Sequence, residues 1–163
     1  MEHIKQNDKR LYKVINKVGC FFRSCLLVAE YKENKELTSE QINNLWKYSK
    51  EHGYINDKDD VVKSTPIINI TLKELGNTKG HYYECATFKD GVIFWYPAIS
   101  KDLRQIDSYI QKVQTANINT HFRVVDKYGD LIEDPYTPEC RIKKIYYSIC
   151  YGYAEEERQN NGR

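Results

Sequence analysis

Three residues of this chain have the types and the order for thiol-based acyl transfer: Cys20, His121 and Asp134. Cys20 follows Gly19 and opens an apolar run, Phe21-Phe22-Arg23-Ser24-Cys25-Leu26-Leu27-Val28-Ala29. A thiol in the first turn of a helix feels the partial positive charge of the helix N-terminus. That charge favours the thiolate, which is the nucleophilic form. His121 starts the β-prone stretch His121-Phe122-Arg123-Val124-Val125, where a ring is held rigidly enough to serve as general base. Asp134 comes thirteen residues later, beyond the turn Lys127-Tyr128-Gly129-Asp130. A hairpin at that turn brings carboxylate and imidazole side by side, so that the carboxylate can fix the imidazole tautomer. Nucleophile, base and orienting group drawn from distant parts of the chain are what such catalysis assembles in space. His81, after Gly80 at the start of another strand-like segment, is the alternative base. Each residue also has a structural reading. Free cysteines are common core residues, and Asp-Pro initiates turns without any catalysis.

The elements that must position these residues read as an α+β domain. The apolar run from Cys20 to about Tyr31 predicts a buried central helix, interrupted only by Arg23, Ser24 and Glu30. Thr38-Ser39-Glu40-Gln41 predicts a capping box, with Leu37 and Ile42 as its hydrophobic staple and Gly53 as the C-terminal stop. Residues 64–75 carry signals for helix and for strand. Helix is favoured, starting at Ser64-Thr65-Pro66 and ended by Gly76. Lys89-Asp90-Gly91 between β-formers predicts a hairpin over 81–97. Leu103, Ile106, Ile110 and Val113 then suggest a helix capped by Ser100. Strands are expected at about 120–126, 131–133 and 142–151. The layout is one domain over 1–153, with N-terminal helices packed on a mainly antiparallel sheet, and a disordered tail over 154–163.

Bulk properties narrow the function classes. The net charge is only +2, from 25 basic and 23 acidic residues, so there is no electrostatic footprint for nucleic acid or an anionic membrane. No apolar run approaches the roughly 20 residues that span a bilayer, and the polar start has no secretory core. Five cysteines without a C-x-x-C pair suggest free thiols in a reducing, cytoplasmic setting rather than a disulfide framework or a zinc site. There is no Gly-rich phosphate loop, H-E-x-x-H or G-x-S-x-G, so neither metal nor cofactor is expected.

Gln6-Asn7-Asp8, Gly19-Cys20 opening an apolar helix, and Leu37-Thr38-Ser39-Glu40-Gln41-Ile42 resemble the N-terminal half of bacterial papain-like cysteine peptidases related to the double-glycine leader peptidases. The segment from Thr120 to Tyr136, with His121 and Asp134-Pro135, is similar to that group's histidine strand and Asp-Pro turn. The resemblance covers roughly residues 4–55 and 118–137. It implies a papain-like fold, Cys20 as nucleophile, His121 as base, Asp134 as its orienting partner, and Gln6 as a contributor to the oxyanion hole. It also implies a peptide or protein substrate. The aromatic richness points to a second class, a catalytically inactive phage or plasmid protein on the same scaffold that binds a host protein. The pair Phe21-Phe22 departs from the family, which usually has Gly after the cysteine, and bulky rings there would narrow the cleft.

Overall fold

The computed structural model describes residues 2–136 and 141–156. Four helices come first: α1 (Lys13–Val18), α2 (Cys20–Glu33), α3 (Ser39–Glu51) and α4 (Ser64–Glu74). Six strands follow: β1 (Gly80–Lys89), β2 (Val92–Trp95), β3 (Ile106–Thr115), β4 (His121–Asp126), β5 (Leu131–Glu133) and β6 (Ile142–Glu155). They form one antiparallel sheet in the order β2-β1-β6-β3-β4-β5. The fold is therefore α+β, with a helical layer on one face of the sheet.

The core lies between these layers. Phe22, Leu26 and Ala29 of α2 and Ile67, Ile68 and Leu72 of α4 meet Tyr82, Ile110, Val124 and Tyr151 of the sheet. Because α2 is buried continuously from Phe22 to Glu30, it is apolar nearly all round and takes the central place. A smaller cluster of Cys85, Ala86, Ile106 and Cys150 packs with Tyr83, Trp95 and Tyr109.

Local chemistry explains the boundaries. Thr38 Oγ1 accepts from Gln41 N at 3.1 Å and Gln41 Oε1 accepts from Thr38 N at 2.9 Å, which completes the capping box of α3. The β1–β2 hairpin turns through Asp90 (φ 51°) and Gly91 (φ 77°), the two left-handed positions of a type I′ turn.

Residues 13–18 form a short helix, α1, ahead of the central helix. Two segments differ from the expectations drawn from sequence. The helix expected after Ser100 is instead one 3-10 turn at Leu103–Gln105 followed by strand β3. The reason is a shift of register. Ile106 is buried in the smaller cluster, an irregularity against β6 separates it from Ser108 and Ile110, which are buried in alternation, and a second between Lys112 and Val113 keeps Val113 in the interior. That gives spacings of four and then three, which imitate a helical stripe. At the other end, β6 continues through Glu155, so Ala154 and Glu155 are strand rather than tail. Residues 157–163 of the expected tail lie outside the described residues.

Candidate active site

Cys20 is the first residue of α2, and α1 runs almost directly into it. The junction is Gly19, whose N–H donates to Ile15 O at 2.8 Å. A Cβ at position 19 would sit 2.6 Å from Ile15 O and 2.8 Å from Ile15 Cγ2. Only glycine allows the two helices to meet this closely, so Gly19 presents Cys20 at an N-terminus that no side chain caps.

Beyond the sheet centre, His121 begins β4 and Asp134 follows β5. Both are buried, at 2% and 4% exposure. His121 Nε2 and Asp134 Oδ1 are 2.6 Å apart, and the same oxygen accepts Tyr136 N at 2.9 Å. Nε2 is engaged by the carboxylate, and the Cys20 thiol lies near enough to the ring to favour its charged form. Burial pushes the His121 pKa down. Asp134 and Cys20 outweigh that effect and raise it to about 9. The three residues singled out from sequence are thus brought together, although the first two lie 101 positions apart.

Cys20 is half-buried and opens on a cleft of about 420 Å³. Val18, Phe21, Val61, Phe122 and Tyr147 supply apolar walls, with Lys17, Lys112, Asp59 and Asp60 on the lining as well. The two phenylalanines after Cys20 take separate roles. Phe21 stacks on Phe122 with ring centroids 4.2 Å apart and forms part of the cleft wall. Phe22 is fully buried and meets Trp46 edge-on at 5.1 Å. The rings therefore leave the thiol at the cleft rather than sealing it.

Gln6 also lies at this junction, and its amide is tied to the backbone of α1. Gln6 Nε2 donates to Ile15 O at 3.1 Å and Asn16 O at 3.2 Å, which uses both amide hydrogens. Its Oε1 is buried without a partner. His81, the alternative base, is exposed on β1 and pairs with Ala154, its ring 6.3 Å from Tyr83. It takes no part in the cluster.

The other thiols differ from Cys20. Cys25 is sealed in the core, where burial holds its thiol well above its usual pKa. Burial pushes Cys85 up to about 11 and Cys150 up to about 12. Cys140 lies outside the described residues. Among the described residues no group of three or more His, Cys, Asp or Glu side chains could hold a metal ion, and no helix is long and apolar enough to cross a membrane.

Reading the sequence for catalysis missed a second polar cluster in α2. Arg23 and Glu30 are both fully buried, and the guanidinium meets the carboxylate through Nη1 to Oε2 and Nη2 to Oε1. The signal was available: two charged residues seven apart in an apolar helix fall on one stripe. No protein-family model matches the chain, and neither a curated protein nor a solved structure was found to match it.

Proposed function

We propose that the protein is a papain-like cysteine peptidase or amide hydrolase with Cys20, His121 and Asp134 as its catalytic set. The observation that carries this reading is the His121 ring, held by Asp134 on Nε2 and lying near a thiol that opens on a cleft. In the proposed reaction the Cys20 thiolate attacks the substrate carbonyl carbon and forms a C–S bond. Protonated His121 gives its proton to the leaving amine as the C–N bond breaks. Water then attacks the thioester and loses a proton to His121, and the acid departs as Cys20 is regenerated. Asp134 keeps the imidazole in the working tautomer throughout. The Cys20 N–H, at the start of α2, is the proposed oxyanion donor. Gln6 joins it only if one of its two carbonyl bonds is released. No cofactor enters the scheme. The substrate class is a peptide or protein, and a free thiol nucleophile fits a reducing, cytoplasmic compartment.

The tied amide of Gln6 favours a second reading, a binding protein that keeps the scaffold with an idle site and engages a host protein.

One experiment separates the two. The folded protein is treated with limiting iodoacetamide near pH 6, and the modified cysteine is mapped by mass spectrometry in the wild type and in His121→Ala. Selective labelling of Cys20, slowed about tenfold or more by His121→Ala, is the outcome for a thiolate–imidazolium pair. Labelling of Cys20 at the same rate in both proteins, or of other cysteines in preference, removes the peptidase reading and leaves the binding protein.

A further inference from the structure

Asp134 sits in a loop that the sheet alone holds weakly. Strand β5, just before it, is three residues long and pairs with β4 at two positions with an irregularity between them. The loop is gripped instead from the start of the chain. Lys5 Nζ donates to the backbone carbonyl of Asp134 at 2.7 Å and lies 3.5 Å from the carboxylate of Glu133. The next N–H, that of Gln6, donates to Pro135 O at 2.6 Å. Glu133 is also fastened from α2, because Tyr31 OH donates to its Oε1 at 2.5 Å. Three consecutive residues, 133 to 135, are therefore held by partners more than 100 positions away in sequence.

The segment that supplies Lys5 is itself anchored to the helix that carries the thiol. Arg23 Nε donates to Ile4 O at 2.8 Å, and His3 Nδ1 lies 3.1 Å from Glu30 Oε1. His3 also stacks on Tyr31 with ring centroids 4.4 Å apart. Arg23, Glu30 and Tyr31 all belong to α2, whose first residue is Cys20.

We infer that the N-terminal strap, acting through Lys5, is the positioning element of the Asp134–His121 pair and fixes it relative to Cys20 through their common support on α2. This rests on the thiol–imidazole reading above. Lys5 touches no reacting atom. It holds the Asp134 backbone, and so the direction in which the carboxylate meets His121 Nε2.

The test reads the second-order rate of Cys20 alkylation by iodoacetamide at pH 6 in the full chain. Lys5→Met lowers it roughly fivefold, the size of effect that one hydrogen bond from a charged group supports. The Tm stays within about 3 °C of the wild type. Lys5→Arg, which keeps a charged donor, recovers most of the rate. In an Asp134→Ala background Lys5→Met has no further effect, because both substitutions act on one link. Should Lys5→Met not fold, Tyr31→Phe, which removes a single hydroxyl from Glu133, replaces it in the same comparison. Equal rates for wild type and Lys5→Met overturn the inference, as does the same fold-loss with and without Asp134. Both results leave the reading of Cys20 and His121 intact. Wild-type labelling that ignores His121→Ala removes that reading and this inference together.

Discussion

A histidine–carboxylate pair lies near each end of helix α2, and the two are wired in opposite ways. Near its C-terminus Glu30 is saturated. Its carboxylate receives His3 Nδ1, two nitrogens of Arg23 and the Leu37 N–H. Burial pushes this carboxyl up, but His3, Arg23 and Leu37 more than offset it and hold it below the usual range. At the N-terminus Asp134 Oδ1 is shared between His121 Nε2 and the Tyr136 N–H, and the imidazole lies near the Cys20 thiol at a cleft. The same two functional groups make a staple when every lone pair is used. They make a candidate reactive device when one valence stays open. Burial alone does not distinguish them, since all four side chains are nearly inaccessible.

The comparison is broken most severely at the staple. Arg23→Leu leaves Glu30 buried without its guanidinium partner and is expected to cost about 3–5 kcal/mol of unfolding free energy in urea titrations. A loss below about 1 kcal/mol would mean that the Glu30 cluster is not a staple. The open pair is expected to show pH dependence instead. His121 has a folded pKa of about 9 against an ordinary value of 6.5. Its charged form is therefore favoured by folding, and the stabilisation is full below about pH 6.5 and lost as pH rises through about 9. The stability gap between wild type and His121→Gln should reach roughly 3 kcal/mol near pH 6 and close by pH 10. A gap that does not change with pH would rule out the ion pair. The smallest expected effect concerns the cleft wall. Phe21→Ala removes the stack on Phe122 and should cost about 1 kcal/mol beyond the lost apolar burial. It should also speed alkylation of Cys20 by bulky reagents relative to iodoacetamide, and unchanged selectivity would show that Phe21 does not gate the thiol.

How much of this was legible in the sequence depended on whether the signal was local. The capping box at Thr38 and Gln41 and the hairpin at Asp90-Gly91 rest on chemistry within four residues, and both lie where their residues indicate. Gly19-Cys20 was legible as a helix start, and the contact of a Cβ with Ile15 explains why glycine stands there. The cluster of Cys20, His121 and Asp134 was approachable because those residue types are few and come in order. Strand β3 was misread because its register shift turned a period of two into spacings of four and three. The Lys5 grip on Asp134 was invisible, since nothing near Lys5 in sequence marks a carbonyl 129 positions away. Gln6 was legible as a residue near the site, but the direction of its amide depends on two carbonyls of α1.

The place of β6 has a consequence for synthesis. It is the last of the described strands yet sits between β1 and β3, joining the β1–β2 hairpin to the β3–β5 meander. Until residues 142–155 leave the ribosome, the two halves of the sheet have no common member. Such long-range pairing is slow to form because loop closure must precede its reward. A nascent chain already containing Cys20, His121 and Asp134 lacks the strand that fixes β4 and β5 beside α2. On the proposed reading, the thiol is matched to its base only once residues 142–155 have emerged, and a chain halted before them is born inert.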